Sequence, residues 1–101
     1  MRANTFFSGL IRLHILHHAA REPLYGLWII EELARHGYRL SPGTIYPILH
    51  DMERTGYLRS ERQMADGRYR RLYAITSAGL TVLNEGRQKV QELFAELFEE
   101  E

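Results

Sequence analysis

The dipeptide Asp66-Gly67 most constrains the fold of this 101-residue chain, because it joins two strand-like segments. Residues 57–63 and 69–75 are rich in tyrosine, leucine and isoleucine, and apolar side chains partly alternate with polar ones. Asp-Gly between two such segments is a strong signal for a tight β-hairpin. The sequence therefore predicts one hairpin, and the pattern on both sides of it is helical.

Three helices are expected before the hairpin, at about residues 5–20, 25–36 and 41–55. Asn4 or Thr5 can cap the first helix, Gly37 suits the left-handed residue that ends the second, and Ser41-Pro42 is a strong start signal for the third. The spacing predicts the apolar face of the first helix from Phe6, Leu10, Leu13, Leu16, His17 and Ala20, and that of the second from Leu27, Ile30, Leu33 and Ala34.

After the hairpin, residues 77–101 read as one long helix, capped by Thr76 or Ser77. Its apolar side chains recur at coiled-coil-like spacing, with Gly86 in the same seam. So short a chain buries a limited share of its surface. These side chains are therefore expected to form a dimer interface, which consists of Leu83, Val90, Leu93, Phe94, Leu97 and Phe98.

The predicted fold class is mainly α with a small β-hairpin. A short link between helices two and three is typical of a helix-turn-helix, and a hairpin directly after the third helix makes it a winged helix. We expect residues 1–76 to form a winged-helix DNA-binding domain. Residues 77–101 would form the dimerisation helix as part of the same compact unit.

Composition excludes several classes of protein. The chain has no cysteine, which excludes disulfide scaffolds and thiol chemistry and is compatible with the cytoplasm. No apolar run is long enough to span a membrane. Neither a phosphate-binding glycine loop nor a hydrolase motif is present, so no enzymatic activity and no cofactor are expected.

The net charge of zero conceals a division along the chain. Residues 1–84 carry 11 basic and 7 acidic side chains, whereas residues 85–101 carry 2 basic and 6 acidic ones. A neutral average therefore leaves room for a local basic face that binds a polyanion.

The third helix and the hairpin favour double-stranded DNA as that polyanion. A recognition helix presents exposed side chains to the major groove, and a wing contacts phosphates or the minor groove. On the third helix the candidates are Ser41, Thr44, Tyr46, Pro47, His50 and Arg54. On the wing they are Arg68, Arg70 and Arg71.

The alternative is a winged-helix module that binds protein and not DNA, since the fold serves both purposes. In that case the third helix presents an ordinary solvated face, and the arginines protect a strand edge from aggregation. Asp51, Glu53 and Glu61 would repel phosphates if they faced outward. A continuous basic face on the third helix and wing would decide for DNA.

Two further features have both a structural and a functional interpretation. His14, His17 and His18 have a spacing that can place imidazoles on one helical face, but capping or partly buried histidines explain them as well, and no metal is assigned. Trp28, the single tryptophan, is expected in the core or a dimer interface. It could also form an effector pocket with Phe94 and Phe98.

The segment 40–58, LSPGTIYPILHDMERTGYL, resembles the signature of the PadR family of bacterial and archaeal transcriptional regulators. Tyr25-Gly26 before it, Gly67-Arg68 after it and the segment 73–79, YAITSAG, match the same family in order and spacing. The resemblance covers nearly the whole chain and is greatest to the short members with a single C-terminal helix.

This resemblance implies a homodimeric winged-helix repressor that binds a near-palindromic operator. The third helix would read the major groove, with Thr44, Tyr46, Pro47 and His50 facing DNA, and Arg68 and Arg70 would be wing contacts. Many members respond to small, often aromatic compounds. Some short members bind flat drugs between tryptophans of the dimerisation helices, whereas residues 77–101 of this chain contain no tryptophan.

Overall fold

The computed structural model describes residues 6–99. Within them the chain forms helix α1 (Ser8–Arg21), strand β1 (Leu24–Tyr25), helices α2 (Gly26–Arg35) and α3 (Pro42–Arg54), strands β2 (Leu58–Ala65) and β3 (Arg68–Ile75), and helix α4 (Ser77–Phe94), which continues into a π-helical turn at Ala95–Glu99. This arrangement confirms the predicted winged-helix class with a long C-terminal helix. The proposed caps Asn4 and Thr5 and the last residues Glu100 and Glu101 lie outside the described residues.

Helix α1 buries a different face from the one that its sequence pattern predicts. Ile11, Ile15, Leu16 and Ala19 are buried, whereas Leu10 is exposed and Leu13 is half-buried. Both apolar stripes have helical spacing, so periodicity alone could not choose between them. The consequence is that α1 presents a second, partly exposed apolar face outside the core.

The link between α2 and α3 has the geometry expected at helix ends. Gly37 follows α2 with a φ of 90°, Tyr38 donates its backbone N–H to the Leu33 carbonyl, and Gly37 donates to Ala34, which is a Schellman motif. Pro42 begins α3 as predicted, after Ser41 in an extended conformation. This local chemistry sets the direction in which α3 leaves the turn.

Pro47 lies inside α3, and the helix nevertheless continues unbroken to Arg54. Its ring removes one backbone donor, which would ordinarily destabilise a helix interior. Ile45, Leu49 and Met52 are buried on the opposite side of the helix. Their packing into the core holds α3 together where its local sequence is unfavourable.

The sheet has the strand order β1-β3-β2, and both pairings are antiparallel. Asp66 and Gly67 have φ angles of 53° and 77°, as the expected Asp-Gly turn requires. Strand β1 was not predicted, because two residues are too few to show a period. It pairs Leu24 with Tyr73 and Tyr25 with Leu72, and so fastens the start of α2 to the base of the wing.

Helix α4 begins as predicted at Thr76, whose side chain accepts a hydrogen bond from the Gly79 backbone N–H at 3.0 Å. Its first half packs on the core, where Leu83 is 7% exposed. Gly86 lies against α1, because a Cβ there would be 2.5 Å from Leu13 Cδ2. Gly86, which the sequence placed in the apolar seam of this helix, therefore makes its close contact within its own chain.

Within residues 6–99, no helix combines the length and the apolar character needed to cross a bilayer.

Candidate nucleic-acid interface

A cleft of about 410 Å³ lies between helix α3 and the wing. Tyr46 and His50 contribute to it from α3, and Arg68, Arg70 and Arg71 contribute from β3. None of its lining residues is acidic; the others are Tyr25, Gly26, Leu27, Tyr69 and Tyr73. In the folded chain, helix α3 and the arginines of the wing thus line the same cleft, although the sequence indicated them as separate candidates.

The other candidate residues of α3 lie outside this cleft. Ser41 is exposed at the start of the helix, where its Oγ is 3.5 Å from Thr44 Oγ1. Pro47 is exposed, and Arg54 is exposed at the C-terminal end of the helix. The candidates are therefore spread along α3, and Tyr46 and His50 are those that adjoin the wing.

The Tyr46 ring lies directly against the backbone of Gly26, in space that any side chain at position 26 would occupy. A Cβ at Gly26 would lie 2.5 Å from Tyr46 Cε1 and 2.6 Å from its hydroxyl oxygen. The tyrosine ring therefore rests on the backbone at the beginning of α2. This contact gives a physical reason for the Tyr25-Gly26 pair, since β1 positions Tyr25 and Gly26 leaves room for the ring.

The wing arginines differ in what they contact. The Arg70 guanidinium lies 5.3 Å from the centre of the Tyr25 ring, within cation–π range, and Arg71 donates a hydrogen bond to Ser60 Oγ at 3.2 Å. Arg68 pairs with Ala65 directly at the turn and is exposed. Arg68 is thus placed at the wing tip, while the other two are braced by neighbouring side chains.

Two acidic side chains of α3 have partners within the chain, and the charge of Asp51 is balanced by arginines. Asp51 is paired by Arg12 at 2.8 Å and by Arg54 at 2.7 Å. Glu53 accepts hydrogen bonds from the backbone N–H and the hydroxyl of Ser60 at 3.1 and 2.9 Å. The repulsion that these carboxylates would exert on a polyanion is therefore reduced, whereas Glu61 stays exposed.

The innermost part of the cleft is formed by Tyr73 on β3. Its ring is fully buried, and among the described residues no hydrogen-bond partner contacts its hydroxyl group. Burial raises the pKa of this phenol, and the nearby carboxylate of Glu53 raises it further. Tyr73 is consequently a neutral, packed residue that supports the cleft from below.

A second, larger depression of about 1150 Å³ lies between α1 and α4. Leu10 and Leu13 form one wall, and Leu83, Val90 and Phe94 form the other. Beyond it, Leu97 and Phe98 are 64% and 71% exposed. Five of the six side chains expected in the dimer interface are exposed. The sixth, Leu83, is buried in the core of its own chain, so its assignment to the dimer interface is corrected.

The expected effector pocket is not assembled within one chain. Phe94 lines the depression between α1 and α4, whereas Trp28 and Phe98 do not line it. Trp28 is 43% exposed on α2 and packs edge-on against His18, with ring centres 5.3 Å apart. Helices α2 and α4 present these aromatic residues on different parts of the surface, which a list of aromatic positions could not reveal.

The fold and this site define a winged-helix protein with a basic wing. A model of the Transcriptional regulator PadR-like family matches residues 15–85, and the chain belongs to this family. The chain is thus a transcriptional regulator, and the expectation that it is not an enzyme is confirmed.

Individual relatives agree with this assignment. The chain is 51% identical over 92 residues to Transcriptional regulator Rv3488 of Mycobacterium tuberculosis, covering 91% of this chain and 86% of that protein. A PadR family transcriptional regulator from Eggerthella lenta is similar in structure, with a TM-score of 0.80 and 29% identity over 99% of this chain and 91% of the other. A PadR-like transcriptional regulator from Bacillus cereus has a TM-score of 0.79 and 28% identity, covering 96% of this chain and 99% of the other.

Proposed function

We propose that this regulator acts as a homodimer that binds a near-palindromic operator in double-stranded DNA. Helix α3 enters the major groove, and the wing contacts the flanking backbone. The observation that carries the proposal is the cleft between α3 and β3, which unites Tyr46 and His50 with three arginines and contains no carboxylate. Such a combination of polar base-reading groups with phosphate-binding arginines is typical of DNA-binding winged helices.

Each candidate residue has a specific expected role in this complex. Thr44, His50 and the Pro47 ring face base edges in the proposed complex, whereas Ser41, Tyr46 and Arg54 are expected to contact phosphates. Arg68 reaches furthest, because it follows the turn of the wing directly. Arg70 and Arg71 supply further positive charge beside α3, which lowers the potential energy of an approaching phosphate.

The dimer places one such interface on each half of the operator. Residues 1–76 serve as the DNA-binding domain, and residues 77–101 pair with the same helix of a second copy. The exposed side chains of Val90, Leu93, Phe94, Leu97 and Phe98 support this arrangement, because so large an apolar surface on a short chain ordinarily marks an interface. Two recognition helices would then lie about 34 Å apart, one turn of DNA.

We infer that the regulator is a repressor and that a small aromatic effector releases it from DNA. The depression between α1 and α4 supports this inference, because it is mostly apolar and adjoins the expected dimer contact. A ligand there would alter the crossing of the two long helices and thereby the spacing of the recognition helices. Titrating phenolic acids into the protein–DNA complex tests this idea, and unchanged affinity throughout the series would contradict it.

The DNA proposal is tested by titrating the protein against the DNA upstream of its own gene and against a scrambled duplex of equal length. Both titrations are carried out at two salt concentrations, because phosphate contacts make affinity salt-dependent. We expect tighter binding to the native duplex, and the preference should persist at higher salt. A folded dimer that binds neither duplex would favour the protein-interaction alternative.

Replacing single residues separates the two kinds of contact. Arg68→Ala should weaken binding to both duplexes and reduce the salt slope by about one unit. His50→Ala should instead alter sequence preference, at a cost of about 1–3 kcal/mol for the native site. If Arg68→Ala changed neither affinity nor slope, the wing assignment would be wrong.

Arg59→Ala is the matched control for the wing variant. Arg59 is exposed on the same hairpin and lies six positions before Ala65, the partner of Arg68. At about 3.4 Å per residue the two arginines are roughly 20 Å apart along the strand. Loss of the same charge at Arg59 should therefore have a smaller effect on affinity than loss at Arg68.

A further inference from the structure

Three histidines from two helices converge at a place separate from the α3–wing cleft. His14 and His18 are one turn apart on α1, and His36 directly follows the last residue of α2. One ring nitrogen from each lies within 4.8 Å of the others. His17, which has helical spacing to His14 in the sequence, does not belong to this group.

A carboxylate lies beside the group on the side of α2, next to two of its three histidines. Glu32 Oε2 lies 3.1 Å from His36 Nε2 and 3.6 Å from His18 Nε2, and the Glu32 side chain is 13% exposed. Glu32 Oε1 is also 3.3 Å from Arg35 Nη1. Two imidazole nitrogens thus already point at one carboxylate oxygen, which is an arrangement that a shared cation would stabilise.

The chemistry of this donor set is that of a transition-metal site. Three imidazoles and a carboxylate suit zinc and its neighbours in the first transition row, whereas calcium and magnesium prefer oxygen ligands alone. Tetrahedral zinc with bonds of about 2.0–2.1 Å needs nitrogen atoms roughly 3.4 Å apart. The histidine nitrogens are within 4.8 Å of one another, so small side-chain rotations would bring them to that separation.

The two histidines of α1 in this group lie in a partly buried environment. Burial lowers the pKa of His14, and the neighbouring imidazoles of His36, His18 and His17 lower it further. Burial likewise lowers the pKa of His18.

We propose that His14, His18 and His36, together with Glu32, bind a divalent transition-metal ion of the zinc class. The ion joins α1 to the C-terminal end of α2, where His18 and Glu32 already lie 3.6 Å apart. Its position also connects it to DNA binding, because the Schellman turn at Gly37 follows His36 and leads to α3. This coupling of the ion to DNA binding rests on the proposed function, whereas binding of the ion itself does not.

The first test uses the full chain after treatment with a chelator. Zn²⁺ is titrated by calorimetry, and Co²⁺ is titrated while visible absorption is recorded, because tetrahedral cobalt has a characteristic intense spectrum. The expected result is one ion per chain. Trp28, the single tryptophan, lies 5.3 Å from His18 between ring centres, so Co²⁺ should also quench its fluorescence.

Variants identify the ligands. His18→Ala and His36→Ala should each weaken Zn²⁺ binding by about 100-fold or more, since each removes a direct ligand. His17→Ala is the matched control, because His17 is adjacent in sequence but outside the group, and it should bind as the unmodified chain does. Circular dichroism confirms that each variant is folded, and Glu32→Gln provides a second test that retains side-chain size.

The outcomes are distinct. Absence of a one-to-one site in the unmodified chain, or equal weakening by His17→Ala and His18→Ala, would overturn the metal site and leave Glu32 as a hydrogen-bonding partner that joins two helices. DNA titration with and without Zn²⁺ tests the coupling separately. Metal binding that leaves DNA affinity unchanged would remove the coupling but keep the site. Failure to bind any DNA would count against the proposed function and not against the metal site.

Discussion

The α3–wing cleft and the α1–α4 depression differ in the side chains that line them. Three arginines line the cleft, whereas Leu10, Leu13, Val90 and Phe94 contribute to a mostly apolar surface in the depression, beside polar residues such as Arg87. The net charge of zero averages over both surfaces and describes neither of them. A small regulator can thus separate a basic face suited to a polyanion from an apolar face suited to a second copy of the chain, although its overall composition is ordinary.

The two surfaces also differ in how their side chains are held. Around the cleft, Arg70 contacts the Tyr25 ring, Arg71 contacts Ser60, and Tyr46 rests on Gly26. Beyond the depression, Leu97 and Phe98 are mostly exposed. A preorganised surface needs little ordering when a ligand binds, whereas exposed apolar side chains gain most by being covered. We therefore expect the largest effects of mutation at the apolar surface.

The strongest test of this difference removes apolar side chains from the pairing face. The double variant Phe94→Ala and Leu97→Ala should raise the dimer dissociation constant by about 100-fold or more, because central aromatic and aliphatic contacts dominate interface energies. Sedimentation at several protein concentrations measures this change. Operator affinity should fall with it, since one chain would contact only one half-site.

The matched control removes two exposed side chains from the opposite face of α4. It is the double variant Glu85→Ala and Glu92→Ala. Both glutamates lie about half a turn away from the apolar face, at 100° per residue. This control should leave the dissociation constant nearly unchanged. If both double variants remained equally dimeric, the pairing face would lie elsewhere, and the apolar surface would need another explanation.

A smaller effect is expected when the same substitution is made at a glycine of each surface. Gly26→Ala places a methyl group where the Tyr46 ring now rests, so the ring must move and DNA affinity should fall by roughly 10-fold. Gly86→Ala displaces the flexible end of Leu13 beside the apolar depression and should leave DNA affinity nearly unchanged. Fluorescence anisotropy with a labelled operator compares them, and equal losses would contradict the separation of the two surfaces.

The smallest expected effect concerns the residues below and beside the cleft. Tyr73→Phe removes a buried hydroxyl without a partner among the described residues, so the free energy of unfolding should stay the same or rise by up to about 1 kcal/mol. Tyr25→Phe removes a hydroxyl that donates to Gln63 Oε1 at 3.2 Å and should lower the free energy of unfolding by about 0.5–1 kcal/mol. Urea unfolding measures both, and a large loss for Tyr73→Phe would reveal an unrecognised partner.

Local signals predicted most of the fold. The Asp66-Gly67 turn, the Ser41-Pro42 start of α3 and the Thr76 cap each depend on residues adjacent in sequence. Each has the expected backbone geometry, although the Ser41 side chain makes no capping hydrogen bond. The family assignment rests on the same kind of contiguous segment and is confirmed. The DNA-facing roles of the individual residues on α3 and the wing stay predictions.

Burial was harder to predict than helical structure. Leu27 has the spacing of a core residue of α2 but is exposed, while Ile29 is buried instead. The apolar stripe of α1 was misplaced in the same way. Both helices are apolar on more than one side, so the choice of buried face depends on which neighbours pack against them.

The sequence by itself determined the order of the helices, the position of the wing and the family, because these depend on turn chemistry, helix ends and contiguous motifs. Tertiary structure alone decided that Arg12 neutralises Asp51 and that His36 joins His14 and His18. It also decided that Gly26 supports Tyr46. Such contacts join residues far apart in the chain, and their distances follow from how the helices and sheet pack around a common core, which no local pattern records.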